Sequence, residues 1–585
     1  MDTKSIGQTD PRRNRRSHID PVTHEILQGK LLSIVDEMAI VMTKTSMSPV
    51  IYEVLDFACG ICDSHGALIA QTNGITLFTG TFAAQVKSVI ETFGRDLAPG
   101  DVIVTNDPFR GGTHACDFAI VRPVFASGEI IAFAINVAHW LDVGGAIPGS
   151  LPPNAISVFQ EGLRLPCVRI VRDETIVMDI LQIIKENVRL PDMAVGDLNA
   201  QLATVRIAER RLLEIVRRYG AATLQLTFDV LMDDSELQAR AAISALPDGE
   251  YTAVDTIDED GVGGQPIEVT VRVRIEGDRM EVDFTGCPPA AAGPINCARG
   301  ALNSAVKTIF KALVAPQDPS NEGWFRPLTV TAPPGTIFTA EKPSPTGWYY
   351  EGSVHASELV WKALAPIVPH RFSAGSYTSL CVTYISGRDD AGNLFVHIEP
   401  EHGGWGACCD QDGASALISL TDGDTYNYSI ELIEAKFPLL VRRYALNTDG
   451  GAGAGRYRGG YGLVREYQIR GDDAEIYCGF GRTDTPPWPM EGGQEGSTNY
   501  LEVLSEQGDR VKLRRSPTRT VWKGDLIRIV TGGGGGWGNA SERETEAIAA
   551  DIRDELISIE RARTEYPQAA ALLAAGARHA EEAAI

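Results

Sequence analysis

A chain of 585 residues is several times the roughly 100–200 residues of one domain and has ample material for a large core. Its 44% apolar and 22% charged composition is that of a globular protein, and a formal net charge of −24 disfavours nucleic acid and anionic membrane surfaces, both of which reward Lys and Arg. No window approaches the roughly 18 uninterrupted apolar residues of a membrane span, and ten scattered cysteines fit free thiols in a reducing cytoplasm, so a soluble cytoplasmic protein is expected.

Residues 1–19 carry the basic run Arg12, Arg13, Arg15 and Arg16 with no apolar segment behind it, and read as a flexible arm rather than a signal peptide. Asp20-Pro21 can cap and open a helix, which Ile26, Leu27, Leu31, Ile34, Val35, Met38 and Met42 continue at helical spacing. After Pro49, short apolar runs at 56–63, 67–71, 102–105, 118–125 and 129–139 are separated by Gly, Asp and Asn and predict strands. Helical periodicity returns from Leu181 to about Tyr219 and closes a first region over 20–224. A helix from Ser235 to Ala245 and three alternating strands ending at Gly286 mark a middle α+β domain over 225–330. Turn signals such as Pro333-Pro334-Gly335 and Asn447-Thr448-Asp449-Gly450-Gly451 make 331–540 a β-rich domain, and the Ala- and Glu-rich stretch 541–585 reads as a helical tail. The expected fold class is α+β and multidomain, with an N-terminal metal-binding α/β region and a β-rich C-terminal half.

The densest set of metal-ligand types lies between Asp56 and Asp142, where His114, Asp117, His139 and several carboxylates fall in Gly-flanked loops. Gly111-Gly112 permits a tight turn before His114, Asp117 opens the next strand, and His139 ends the one after, so a single sheet edge could present all three. Taken singly, each histidine reads equally as a buried, hydrogen-bonded loop residue, and His-x-x-Asp spacing does not decide between the two. Cys59-x-x-Cys62 lacks a second correctly spaced pair and reads as buried thiols; His402-Gly403-Gly404-Trp405-Gly406 could line a pocket or merely turn. Gly533-Gly534-Gly535-Gly536-Trp537-Gly538 matches Gly-x-Gly-x-x-Gly, but no returning strand follows it, so a flexible or pocket-lining loop is expected instead of a dinucleotide site. Neither a Walker-type phosphate loop nor a Gly-x-Ser-x-Gly elbow is present.

Taken together, the segments Asp20-Pro21-Val22-Thr23, Asp56-Phe57-Ala58-Cys59, Asn106-Asp107-Pro108-Phe109 running into Gly111-Gly112-Thr113-His114, Ala138-His139 leading to Asp142-Val143-Gly144-Gly145, Phe159-Gln160-Glu161-Gly162, Asp283-Phe284-Thr285-Gly286 and Gly455-Arg456-Tyr457-Arg458-Gly459-Gly460 resemble the hydantoinase B/oxoprolinase family, over most of the chain and in one order. The resemblance implies a metal-binding B-type subunit whose ligands are Asp56, His114, Asp117 and His139, with Zn, Mn or Fe as the divalent ion, and a hetero-oligomer in which an A-type partner binds ATP and activates a small-molecule substrate. The activity it implies is ATP-dependent opening of a cyclic amide such as a hydantoin, 5-oxoproline or a lactam. Carboxylation of a ketone at the same metal, as in acetone or acetophenone carboxylases, is the second reading, and a non-catalytic scaffold the third. Relatives commonly carry a second histidine directly after the one matched by His139; Trp140 stands there and could narrow the pocket. Asp107, Asp142 and Glu161 are further candidates for orienting ligands or moving protons, or for capping turns.

Overall fold

The structure, a computed structural model, describes Arg15 and residues 18–569. The expected arm over 1–19 and the end of the tail lie largely outside these residues.

Helix α1 (Pro21–Thr45) begins where expected: the Asp20 carboxylate accepts from the Thr23 amide at 2.9 Å, Pro21 occupies the first turn, and Leu27, Leu31, Ile34, Val35, Met38 and Met42 are buried. The predicted strands follow as β1 (Phe57–Asp63), β2 (Leu68–Gln71), β3 (Val102–Thr105), β4 (Asp117–Ala126) and β5 (Glu129–His139), with α2 (Phe82–Phe93) inserted after β2. With β6 (Val168–Arg172) and β7 (Thr175–Ile176) they form a seven-stranded sheet of order β2-β1-β5-β4-β3-β6-β7, antiparallel throughout. Both faces are covered, so β1 is buried at every position and shows no alternation.

The expected helix from Leu181 to Tyr219 is two helices, Met178–Asn187 and α3 (Pro191–Tyr219), broken where Pro191 bars the residue before it from helical geometry. Helix α1 packs on α3, and α3 lies on β4 and β5. The helix expected at 235–245 is the end of a longer α4 (Ala221–Ser244). Strands β8 (Gly249–Ile257), β9 (Ile267–Glu276) and β10 (Arg279–Asp283), joined by β11 (Leu328–Thr331) in parallel with β10, make a four-stranded sheet of order β11-β10-β9-β8. In β9, Val269, Val271, Val273 and Ile275 are buried while Glu268, Arg272, Arg274 and Glu276 are exposed, as a sheet with one solvated face requires.

Helix α5 (Arg299–Val314) packs against α6 (Tyr349–Leu364), a helix inside the region expected to be β-rich. The remainder of that region is β: β12 (Val382–Arg388), β13 (Leu394–Glu399), β14 (Leu439–Leu446), β15 (Leu463–Ile469), β16 (Asp473–Gly479), β17 (Tyr500–Leu504), β18 (Arg510–Leu513), β19 (Arg515–Trp522) and β20 (Leu526–Val530). They form two sheets, β13-β12-β16-β19 and β14-β15-β20-β17-β18. One continuous apolar interior runs from α1 to Trp537, and a small satellite beneath α7 (Thr545–Arg553) and α8 (Ile559–Glu565) anchors the described part of the tail.

The glycine run near the end is tightly packed rather than a flexible loop. The Gly534 amide donates to the Gly460 carbonyl at 2.9 Å and the Gly460 amide to the Trp405 carbonyl at 2.8 Å, stacking three loops backbone on backbone. A Cβ on Gly534 would lie 2.1 Å from the Trp405 carbonyl oxygen, and one on Gly460 1.9 Å from that of Ala414. Glycine is there because no side chain fits. Among the described residues no helix is long and apolar enough to cross a membrane.

Candidate metal centre

Strands β4 and β5 pair so that Asp117 lies directly opposite His139. Cross-strand partners share a face, and that face also carries Gly60, against which Phe82 of α2 packs. His114 reaches the same place from the turn before β4. Asp107 caps that turn by accepting from the Phe109 amide at 3.0 Å, and Gly111 takes a φ of 90° where a Cβ would lie 2.8 Å from the backbone of Ala84. Among the described residues, His114, Asp117 and His139 are the group of three whose ligand atoms lie within 4.8 Å of one another, and all three are buried.

Each side chain is oriented. The Nδ1 of His114 lies 2.8 Å from the Gly347 carbonyl, which can only accept, so Nδ1 carries a proton, and Nε2, 3.0 Å from Asp117 Oδ1, is the ring nitrogen that faces the cluster. The other carboxylate oxygen of Asp117 accepts from Thr113 Oγ1 at 2.5 Å. The His139 amide donates to the Asp56 carbonyl at 3.1 Å, and its Nδ1 is buried with no protein partner. Burial lowers the pKa of His139 to about 4, so this imidazole is neutral near pH 7. Burial also opposes the charged form of His114, but Asp117, the Gly347 carbonyl and Glu161 overcome it and raise the His114 pKa.

The three side chains open onto a cavity of about 40 Å³, also lined by Asp56, Tyr349, Tyr350 and Asp422. Burial, then Asp117 and Asp422, hold the Asp56 carboxyl well above the usual range; burial, then Asp117 and Glu351, push Asp422 up to about 8. Three carboxyl groups thus face a space that, among the described residues, no Lys or Arg lines. Two imidazoles, clustered carboxylates and an unpartnered buried ring nitrogen fit a divalent cation, which would relieve the repulsion and satisfy the donors.

Asp56, given by resemblance as a ligand, lines the same cavity but stands outside the tight group of three. Glu161 acts from behind: its carboxylate accepts from the amides of Thr346 (2.9 Å) and Gly347 (2.7 Å), fixing the two peptides that lead into the carbonyl that holds His114. Asp142 anchors a loop, accepting from the amides of Gly144, Gly149 and Arg189 and from the Arg189 guanidinium at 3.0 Å. Trp140 does not narrow the pocket. It follows His139 and so turns to the opposite face, where it stacks on Phe118 at 3.8 Å and donates from Nε1 to Gln201 of α3 at 2.9 Å. Cys59 and Cys62 are buried, unpaired, and point to opposite faces of β1. His402 contacts the wall indirectly, its Nε2 lying 3.1 Å from the carbonyl of the cavity residue Thr425.

Asp422 and Tyr349 escaped the sequence reading. They come from segments more than 200 residues beyond the ligands, and Thr421-Asp422-Gly423 has the look of an ordinary turn.

An antiparallel sheet presents two imidazoles and a carboxylate at one end, and later segments of the chain, through Tyr349, Tyr350 and Asp422, complete the cavity around them. The Hydantoinase B/oxoprolinase family model matches residues 20–540, and the chain belongs to that family. The B component of a D-/L-hydantoinase from Pseudomonas sp. (strain NS671), so named provisionally, is 33% identical over 94% of this chain and 95% of its own length. The beta component of caprolactamase from Pseudomonas jessenii is 30% identical over 94% of this chain and 96% of its own, and the crystal structure of ATP-dependent caprolactamase from that organism superposes with a TM-score of 0.88 at 29% identity, covering 94% of this chain and 96% of that one. A nucleotide-free acetone carboxylase structure superposes with a TM-score of 0.87 over 96% of this chain and 80% of its own, and at 19% identity it shows a shared fold.

Proposed function

We propose that this chain is the metal-binding subunit of a two-component, ATP-dependent amidohydrolase that opens a cyclic amide, a hydantoin, 5-oxoproline or a lactam, after an A-type partner has used ATP to activate it. The observation that carries this reading is the acidic cavity at His114, Asp117 and His139, in a chain with relatives at 33% and 30% identity named as hydantoinase and caprolactamase components. His114, Asp117 and His139, with Asp56 beside them, would hold the ion; Zn, Mn or Fe suits this mixed donor set. When bound, a divalent ion supplies Lewis acidity to the carbonyl oxygen and to the attacking water.

The chain's own groups do the rest. The Gly347 carbonyl keeps the His114 lone pair pointed inward, and the Asp422 carboxyl and Tyr349 phenol are placed to hold or pass a proton at the cavity wall. Space for an ion and about two waters does not admit a five- to seven-membered ring. Turnover therefore requires the wall to yield, and the segment carrying Asp422 is the candidate, being pinned to the first sheet's side by the Thr421 carbonyl, which accepts from Leu77 N (3.2 Å) and Thr76 Oγ1 (2.6 Å). Ketone carboxylation remains the second reading, since its representative shares the fold; it alone consumes bicarbonate.

The test is to assay the chain with its A-type partner and ATP on hydantoins, 5-oxoproline and lactams, with and without bicarbonate, beside His114→Ala and His139→Ala. Ring opening independent of bicarbonate, lost at least about 100-fold in both variants together with bound metal while the partner still binds ATP, is the expected result. Normal turnover in both variants would sink the proposed centre, and strict dependence on bicarbonate would replace hydrolysis by carboxylation.

A further inference from the structure

Eight of the ten cysteines are buried, which withdraws them from reagents, and burial pushes thiols such as Cys59 and Cys287 up to about 12 and about 11. Cys408 and Cys409 are the exceptions. They sit in the loop after Trp405, and Cys409 Sγ lies 3.2 Å from Nδ1 of His370, an exposed residue in the loop that follows α6. The neighbouring thiol has no such partner; Cys408 is met only by Gln411 Nε2 at 3.9 Å. The contact is not needed to hold the two loops together, because the Ala374 amide already donates to the Ala407 carbonyl at 2.9 Å. Helix α6 separates the pair from Tyr349 by its whole length, roughly 22 Å at 1.5 Å per residue, so the pair is distinct from the metal cavity.

We propose that Cys409, paired with His370, is a site of covalent thiol modification by soft electrophiles, with hydrogen peroxide as the reactant class. Slight burial and the adjacent Asp410 hold the Cys409 thiol above its ordinary value, so it rests protonated and reacts with general-base help. As sulfur attacks one peroxide oxygen, the thiol proton passes to His370 Nδ1 and the O–O bond breaks. The departing hydroxide takes the proton from His370 and leaves as water. Sulfur is oxidised to a sulfenic acid and peroxide is reduced. A low-molecular-weight thiol then condenses with it, forming an S–S bond and releasing a second water. Cys408 is a poor resolving thiol: adjacent Cα atoms are about 3.8 Å apart, shorter than disulfide geometry prefers.

The experiment uses the full chain, labelled with iodoacetamide at pH 7 and mapped by peptide mass spectrometry, for wild type, His370→Asn, Cys408→Ser and Cys409→Ser. Cys409 should be alkylated first, about fivefold or more slowly in His370→Asn, and at an unchanged rate in Cys408→Ser. Peroxide followed by glutathione should add one dithiothreitol-reversible mass increment, on Cys409, and none in Cys409→Ser. Equal alkylation rates in wild type and His370→Asn, or an increment carried mainly by another cysteine, would overturn the proposal. All three substitutions are at exposed or half-buried positions, and an unchanged circular dichroism spectrum separates a chemical effect from misfolding.

Discussion

The imidazole of His114 is gripped at both nitrogens, and the grip at Nδ1 is only as firm as the Gly347 carbonyl, which Glu161 fixes through two amide hydrogen bonds. Glu161→Gln offers an NH2 group where only an acceptor fits, so metal affinity should fall about 10–100-fold in a chelator competition while the fold persists; an unchanged affinity would show that Gly347 needs no such support. The carboxyl groups make a second prediction. Asp422, raised to about 8, and Asp56, raised well above the ordinary range, hold protons in the metal-free folded chain that the unfolded chain releases near pH 4. Over the window between, the folded state binds more protons, so these groups contribute less stability as pH rises toward 8. An ion displaces those protons, and the gap in Tm between metal-loaded and metal-free protein should widen from pH 6 to pH 8; a constant gap would remove these carboxyls from the ion's surroundings. His114, Asp117 and His139 were legible in the sequence because the ends of paired neighbouring strands bring them together. Asp422 was not, because tertiary closure alone delivers it, and the pull of Glu161 on His114 runs through backbone atoms that carry no residue identity.

At the scale of elements, pleat alternation decides what Trp140 does. Adjacent strand positions face opposite ways, so a side chain directly after His139 turns to the α3 face unless the strand bulges there. Trp140→Ala should cost about 3–5 kcal/mol in urea unfolding yet leave bound metal near stoichiometric; metal loss without loss of stability would mean that Trp140 serves the cavity after all. Helix α6 was hidden for a related reason. Its buried residues include nearly every position from Tyr349 to Val360, so no apolar stripe repeats at helical spacing, and the Pro and Gly before it resemble the turns of a β region. The glycine layer misled in the opposite sense: composition suggested mobility where close backbone approach is the cause. Strands β1 to β5 and β8 to β10 were readable because short apolar runs there end at unmistakable turns.

Across the whole molecule, the four expected ligands lie within the first 139 residues, but the cavity is finished by Gly347, Tyr349 and Asp422. A fragment of residues 20–224 carries every expected ligand and lacks the cover, the carbonyl that orients His114 and the buried surface beneath α6. Expressed alone, it should aggregate or retain under about a tenth of the metal held by the full chain, read by elemental analysis; stoichiometric metal in a folded fragment would make the first region self-sufficient.

The same order along the chain bears on biosynthesis. At about 5–20 residues per second, His114, Asp117 and His139 leave the ribosome roughly 10–60 s before Tyr349 and Asp422. If an ion binds there as proposed, during that interval it would meet a berth without a roof, and afterwards it would exchange only when the wall opens. Under the proposed function, the metal kept by the mature protein would then record the ion supply at the moment of translation as much as the affinity of the expected ligands.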